Sequence, residues 1–341
     1  MERLEDIAHA LVAEGKGILA ADESSSTIKK RFDTIHLEST EKNRRDYREM
    51  LFSTKEAMKE YISGVILYDE TIRQTASDGS MMTNVIKASG SLPGIKVDLG
   101  SKLLPAFPNE KITEGLDGLR DRLKEYYKFG ARFAKWRAVI TIDKMDLPTR
   151  FAVKQNAYTM ALYAALCQEI GIVPIVEPEV VMDGKPGNHS IDRCYDVTKC
   201  VLEQVFRALS EARVKLDKML LKPNMVIDGE NARYASVEEV AEKTLRCLKE
   251  TVPAAVPGIV FLSGGQSDEE ATAHLSAMNA AGSLPWTLTF SYGRALQAAA
   301  MRAWGGKKEN VVISQRAFFH RVRMNHLAAL GKWSQQEEKA V

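Results

Sequence analysis

The chain has 341 residues, 45% of them hydrophobic, and 47 Lys and Arg stand against 45 Asp and Glu for a formal charge of +2. That length and apolar content suffice for the core of a globular protein, as one large α/β barrel or two ordinary domains. No Lys/Arg-rich block is interleaved with aromatics as a nucleic-acid groove requires, so no nucleic-acid partner is expected.

Apolar runs of four to eight residues bounded by Gly, Pro or charge predict eight strands. In chain order they are KGILAAD (16–22), ISGVILYDE (62–70), GIKVDLG (94–100), RFAKWRAVI (132–140), IVPIVEPE (172–179), KMLLKPNMV (218–226), GIVFLSGG (258–265) and WTLTFSYG (286–293). Between them, residues 44–62, 115–130, 149–171, 192–212 and 236–252 carry apolar residues at three- and four-residue spacing and predict helices, several closing with Gly. Strand then helix, repeated, implies a parallel sheet. The runs lack period-two alternation, which suits strands covered on both faces, and eight such units favour a closed (β/α)8 TIM barrel over an open doubly wound sheet. A single barrel domain over 1–341 is expected, with 311–341 as a C-terminal helix and short polar tail.

Cys167, Cys194, Cys200 and Cys247 show neither CxxC nor a regular framework, and the opening MERLEDIAHALVAEG does not resemble a secretory leader. The expectation is a reduced, intracellular, cytoplasmic protein. No apolar stretch approaches the ~20 residues needed to cross a bilayer. Even residues 159–179 are interrupted by Gln168, Glu169 and Pro174, so a soluble protein without a membrane partner is expected.

Each strand-like run turns polar at its C-terminal end, and in a barrel those ends share the face where active sites lie. Asp22, Asp69 with Glu70, Lys96 with Asp98, Lys135 with Arg137, Glu177 with Glu179, Lys222, Ser263 and Arg294 therefore meet. A lone lysine on a strand is ordinarily a snorkelling surface residue. Three pointing inward are different: desolvation and mutual repulsion push at least one toward a free amine, while Asp22, Glu177 and Glu179 keep the others charged. A neutral amine to attack a carbonyl, an ammonium to offset developing oxyanions and carboxylates to move protons are the needs of imine chemistry. Spacing alone does not settle which lysine attacks, although Lys222, between Leu220, Leu221 and Pro223, has the most apolar flanks. Glu177 and Glu179, at i and i+2, share one face of an extended strand, where close carboxylates cannot both ionise freely, unless the strand has ended and both meet solvent or lysines.

Two glycine-rich exits concern the substrate. FLSGGQSDEEA leaves the seventh predicted strand through Gly264 and Gly265 into a helix, and FSYGRALQAAA leaves the eighth past Ser291 and Gly293 to Arg294. Exposed N–H groups at helix starts bind phosphate, and these positions are the habitual phosphate site of this fold. After Asp22, the run Ser24, Ser25, Ser26, Thr27 either caps a helix or offers hydroxyls to a second phosphate near Arg31 and Lys96. His9, His36, His189, His274, His320 and His326 form no HxH or HExxH, and there is no GxSxG, Walker loop or post-strand GxGxxG. No metal, nucleotide or other cofactor is expected.

GILAADES, GIKVD, FAKWR, VPIVEPE, LLKPNMV, FLSGGQS, LTFSYGRALQ and AWGGKKEN together resemble class I fructose-1,6-bisphosphate aldolase, from about Gly17 to Asn310. The resemblance implies a (β/α)8 barrel, usually a homotetramer, that cleaves fructose 1,6-bisphosphate without a metal. It implies Lys222 as the Schiff-base lysine and Glu177 as the proton shuttle for carbinolamine formation and dehydration, with Glu179 supporting the lysines. Asp22 is implied to take the C4 hydroxyl proton beside Lys135. Ser263, Gly264 and Arg294, with Gly265, Ser291 and Gly293 around them, are implied at the C1 phosphate and Arg137 near the site. Lys96, Ser24 and Arg31, with Thr27 where the family usually has serine, are implied at the C6 phosphate. The chain departs from many eukaryotic members, whose tail ends in a tyrosine that exchanges the enamine proton; its last tyrosine is Tyr292. Proton return is then expected to use another group, such as Glu177 or water, or to be slow. Two alternatives remain open: a related aldolase preferring another ketose phosphate, and a non-catalytic scaffold with this fold.

Overall fold

The eight apolar runs pair side by side in a computed structural model that describes residues 2–181, 187–232 and 234–339. In chain order, α1 (Leu4–Leu11), β1 (Gly17–Ala21), α2 (Ser25–Asp33), α3 (Glu41–Phe52), α4 (Lys55–Tyr61), β2 (Ile62–Leu67), α5 (Asp69–Arg73), α6 (Met82–Ala88) and β3 (Leu92–Lys96) lead to a two-stranded antiparallel sheet of β4 (Ser101–Leu103) and β5 (Lys111–Thr113). Next come α7 (Leu119–Lys128), β6 (Phe133–Ile140), α8 (Arg150–Ile170), β7 (Val173–Val180), α9 (Ile191–Glu211), β8 (Leu220–Leu221) and α10 (Val237–Thr251). The described chain finishes with β9 (Gly258–Phe261), α11 (Asp268–Ala280), β10 (Thr287–Tyr292), α12 (Arg294–Trp304), α13 (Val311–Ala329) and α14 (Gln335–Lys339). Strands β1, β2, β3, β6, β7, β8, β9 and β10 close a parallel barrel in sequence order, as the strand–helix repeat predicts.

The pleat sorts side chains between two cores. Inward-facing Ile18, Ile66, Phe133, Ile175, Leu220 and Val260 fill the lower barrel and pack on Ile7 and Leu11, so α1 plugs the N-terminal end. A Cβ at Gly64 or Gly94 would overlap the Phe133 ring, which explains glycine in two strands where it otherwise weakens pairing. Outward-facing residues meet the helices, as where Trp136 stacks on Tyr163 of α8 at 5.5 Å between centroids. With its floor sealed by apolar side chains, the barrel is open to polar chemistry at its C-terminal rim.

Several boundaries differ from expectation, three of them for a reason visible in the hydrogen bonding. The helix predicted over 44–62 is two helices. Thr40 starts the first by accepting from the Asn43 N–H, and Ser53 and Thr54 hydroxyls donate back to the Met50 carbonyl at 3.1 Å each, where the turn ends. The strand predicted over 218–226 is reduced to Leu220–Leu221, because Pro223 has no N–H for the ladder; the Asn224 side chain takes over, its Oδ1 accepting from the Val180 N–H at 3.0 Å. The helix after the two glycines of 264–265 starts only at Asp268, where Ser267 and Glu270 form a capping box.

Candidate active site

Register carries the charged side chains to one level. Lys96 of β3 is paired with Lys135 of β6, and Arg137 with Glu177 of β7. The Lys222 N–H donates to the Val176 carbonyl at 2.8 Å, extending β8 by one step and setting Lys222 beside Glu177. Alternation then turns Lys135, Arg137, Glu177, Glu179 and Lys222 to the same side of the wall. All sixteen residues assigned from sequence line one cavity of about 870 Å³: Asp22, Ser24, Thr27, Arg31, Lys96, Lys135, Arg137, Glu177, Glu179, Lys222, Ser263, Gly264, Gly265, Ser291, Gly293 and Arg294.

Glu177 bridges the two most buried lysines. Its Oε1 lies 3.2 Å from Lys222 Nζ and its Oε2 lies 3.2 Å from Lys135 Nζ. Lys135 Nζ also stands 3.0 Å from Asp22 Oδ2 and 3.8 Å from Asp98 Oδ2. Lys96 Nζ pairs with Asp98 Oδ1 at 2.6 Å, and Arg137 donates to Glu179. Lys135, Glu177, Glu179 and Lys222 are all buried. Asp22, Asp98, Glu177 and Glu179 thus face Lys96, Lys135, Arg137 and Lys222 in equal number.

Burial favours the neutral form of Lys135, but the carboxylates of Asp22, Glu177 and Asp98 outweigh it and raise its pKa, so the group stays an ammonium. Burial likewise pushes Asp22 up, and the charges of Lys135, Lys222 and Lys96 overcome it, leaving Asp22 at about 2 and ionised at any ordinary pH. For Arg137, burial is outweighed by Glu179, which keeps the guanidinium charged.

The rim carries two glycine-rich turns and a cluster of hydroxyls. Ser263 is buried, Gly265 takes a left-handed φ of +74°, and a Cβ at Gly264 would stand 3.1 Å from Glu179 Oε1. The bare backbone of this loop therefore abuts the acidic pair. Arg294, the first residue of α12, donates to the Gln266 carbonyl, which ties the two glycine-rich exits together. Ser291 Oγ is buried and finds no protein partner. On the other side Ser24 caps α2, its Oγ accepting from the Thr27 N–H at 3.4 Å and lying 3.0 Å from the Ser26 hydroxyl and 3.1 Å from that of Thr27. Capping and hydroxyl display, alternatives in the sequence, coexist. Arg31 pairs with Glu23, and a Cβ at Gly293 would meet its Nη2 at 3.6 Å, so Arg31 lies against the β10 exit.

Three residues outside those assignments complete the surroundings. Asp98 holds Lys96 and also accepts from the Arg137 N–H at 3.3 Å; its period-two spacing from Lys96 in GIKVD is the signal available in the sequence. Glu23 is buried next to Asp22 and accepts from Gln297 Nε2 at 2.8 Å. Arg48 of α3, fully buried, donates to the Glu23 carbonyl at 2.8 Å and to the Thr71 hydroxyl at 2.7 Å. Among the described residues no cluster of His, Cys, Asp and Glu is disposed to hold a metal, and no helix is long and apolar enough to cross a membrane.

Residues 3–341 match the family described as fructose-bisphosphate aldolase class-I. The chain belongs to the class I fructose-bisphosphate aldolase family. It is 54% identical over 335 residues to the probable class 1 fructose-bisphosphate aldolase of Xanthomonas campestris pv. campestris, covering 98% of this chain and 99% of that protein. It is 53% identical to the cytosolic fructose-bisphosphate aldolase 4 of Arabidopsis thaliana, over 93% of this chain and 80% of the relative. The structure of the Plasmodium falciparum aldolase, solved with TRAP and a small-molecule inhibitor, superposes with a TM-score of 0.95 at 51% identity, covering 97% of this chain and 95% of that one. The family resemblance drawn from the strand-end motifs is thereby established, as is the barrel that carries them.

Proposed function

We propose that this aldolase cleaves fructose 1,6-bisphosphate reversibly to dihydroxyacetone phosphate and glyceraldehyde 3-phosphate through a Schiff base on Lys222, without a metal. The observation that carries this reading is Glu177 set 3.2 Å from both Lys222 and Lys135, one oxygen to each. Glu177 takes the Lys222 Nζ proton, and the free amine attacks the substrate ketone. The same carboxyl then delivers a proton to the carbinolamine hydroxyl, which leaves as water to give the iminium. That cation is an electron sink. When Asp22 accepts the C4 hydroxyl proton, the C3–C4 pair flows into the iminium and leaves a neutral enamine in place of an enolate. Lys135, fixed as an ammonium between Asp22 and Glu177, offsets negative charge where it develops.

Ser263, Gly264, Gly265, Ser291, Gly293 and Arg294 would take the C1 phosphate, the unpartnered Ser291 hydroxyl supporting that reading. Lys96, Ser24, Thr27 and Arg31 would take the C6 phosphate, with Arg137 holding Glu179 beside them. We place the protein in the cytoplasm, as a single-domain protomer of a homotetramer acting in glycolysis and gluconeogenesis. Coupled assays of aldol cleavage in EDTA test the activity: turnover of fructose 1,6-bisphosphate unaffected by the chelator, and faster than that of fructose 1-phosphate, is expected. Activity lost to EDTA, or a preference for fructose 1-phosphate, contradicts the reading.

A further inference from the structure

Behind the Ser263–Gly265 loop, away from the cavity, a second polar contact joins the loop to α11. His274 Nδ1 lies 2.6 Å from Gln266 Oε1, with both residues buried, 7% and 4% exposed. An amide oxygen only accepts, so Nδ1 carries the hydrogen. Burial pushes the His274 pKa down to about 4 despite the nearby charges of Glu270 and Glu238, so near neutrality the ring is uncharged and has a single N–H to give. It gives that one to Gln266. Neither side chain is among the described residues lining the cavity.

Gln266 has three attachments. Its N–H donates to the Ser263 carbonyl at 3.3 Å, closing the turn over Gly264 and Gly265, and its carbonyl accepts from Arg294. The third is the side-chain bond to His274 on α11. Gly264 and Gly265 bring no Cβ atoms with which to pack, so the conformation of the turn depends on such polar ties.

We propose that His274 is a positioning residue for the anion-binding loop, holding Gln266 so that its carbonyl orients Arg294 toward the substrate phosphate. This rests on the aldolase reading, in which loop and arginine take the C1 phosphate. The test compares wild type with His274→Leu, which keeps bulk but cannot donate, and His274→Asn, whose amide N–H takes the place of Nδ1. In His274→Leu, KM for fructose 1,6-bisphosphate and the calorimetric Kd for inorganic phosphate rise about tenfold, the factor expected for one buried hydrogen bond. Its kcat changes far less, and borohydride trapping of dihydroxyacetone, which carries no phosphate, stays at the wild-type rate. His274→Asn restores both constants. Gln266→Leu breaks the same bond from the loop side and must reproduce the phenotype of His274→Leu; it decides the matter where His274→Leu yields no folded protein. Phosphate affinity unchanged in both leucine variants, or dihydroxyacetone trapping lost in proportion to phosphate affinity, overturns the proposal. Phosphate binding is read without turnover, so a wild-type chain that fails to cleave the bisphosphate refutes the aldolase reading while leaving His274 to be judged on Kd alone.

Discussion

Replacing Asp22 with Asn removes one carboxylate from the ion network with little change of shape. Lys135 keeps Glu177 at 3.2 Å as a partner, so the variant is expected to fold. In the folded protein the Asp22 carboxyl sits at about 2 against an ordinary value of 3.8. At 1.36 kcal/mol per pKa unit, that depression is linked to about 2 kcal/mol of stability. The sign follows from the lowered pKa: the contribution is complete above the unfolded value and is lost as pH falls through the folded one. The stability gap between wild type and Asp22→Asn should therefore be larger at pH 6 than in acid by about 2 kcal/mol, with roughly half of that gone by pH 3. Urea unfolding of both proteins at pH 6 and pH 3, followed by circular dichroism, measures the difference. A gap of equal size at the two pH values would show that Asp22 is not held by the lysines and would refute the electrostatic reasoning. Activity is a second readout, since loss of the proposed C4–OH proton acceptor should lower kcat by about 10²–10⁴.

Further variants probe separate parts of the site. Glu177→Gln leaves both buried lysines without their shared carboxylate, and kcat should fall by about 10²–10⁴ with much less change in affinity for dihydroxyacetone phosphate; similar losses in both would assign Glu177 to binding. Arg294→Ala should raise KM for fructose 1,6-bisphosphate about ten- to a hundredfold, the worth of a charged hydrogen bond, in steady-state assays. Asn224→Ala leaves the Val180 N–H buried without its acceptor and should lower stability by about 2–3 kcal/mol by urea unfolding. A change within error there would mean that the strand does not depend on this side-chain bridge.

The parts legible in the sequence are those fixed by local pattern. Strands covered on both faces must be apolar throughout, so the eight runs stand out, and polar residues at their ends can only be tolerated at the open rim of a closed barrel. Lys96, Lys135, Glu177 and Lys222 are visible for that reason. Other features depend on contacts between distant segments. Arg48 sits in the charged stretch NRRDYREM and reads as a surface residue, yet it is fully buried because Glu23 and Thr71 meet it from two other elements. The β4–β5 pair has three residues per strand, too few for periodicity, and is steadied by the Thr113 hydroxyl donating to the Arg137 carbonyl at 2.8 Å. The shortening of β8 is in principle readable from Pro223, but the compensation by Asn224 requires knowing that Val180 lies opposite. The balance of charge around Lys135 is hidden for the same reason, since in the sequence Asp98 stands out only as a neighbour of Lys96.

The proposed covalent imine between Lys222 and the substrate ketone can be trapped chemically. Incubation with dihydroxyacetone phosphate and borohydride, followed by peptide mass spectrometry, tests it directly. One substrate-derived mass on Lys222, with activity lost in proportion to labelling, is the predicted result. Label confined to Lys96 or Lys135, or none on any lysine of an active preparation, would contradict it.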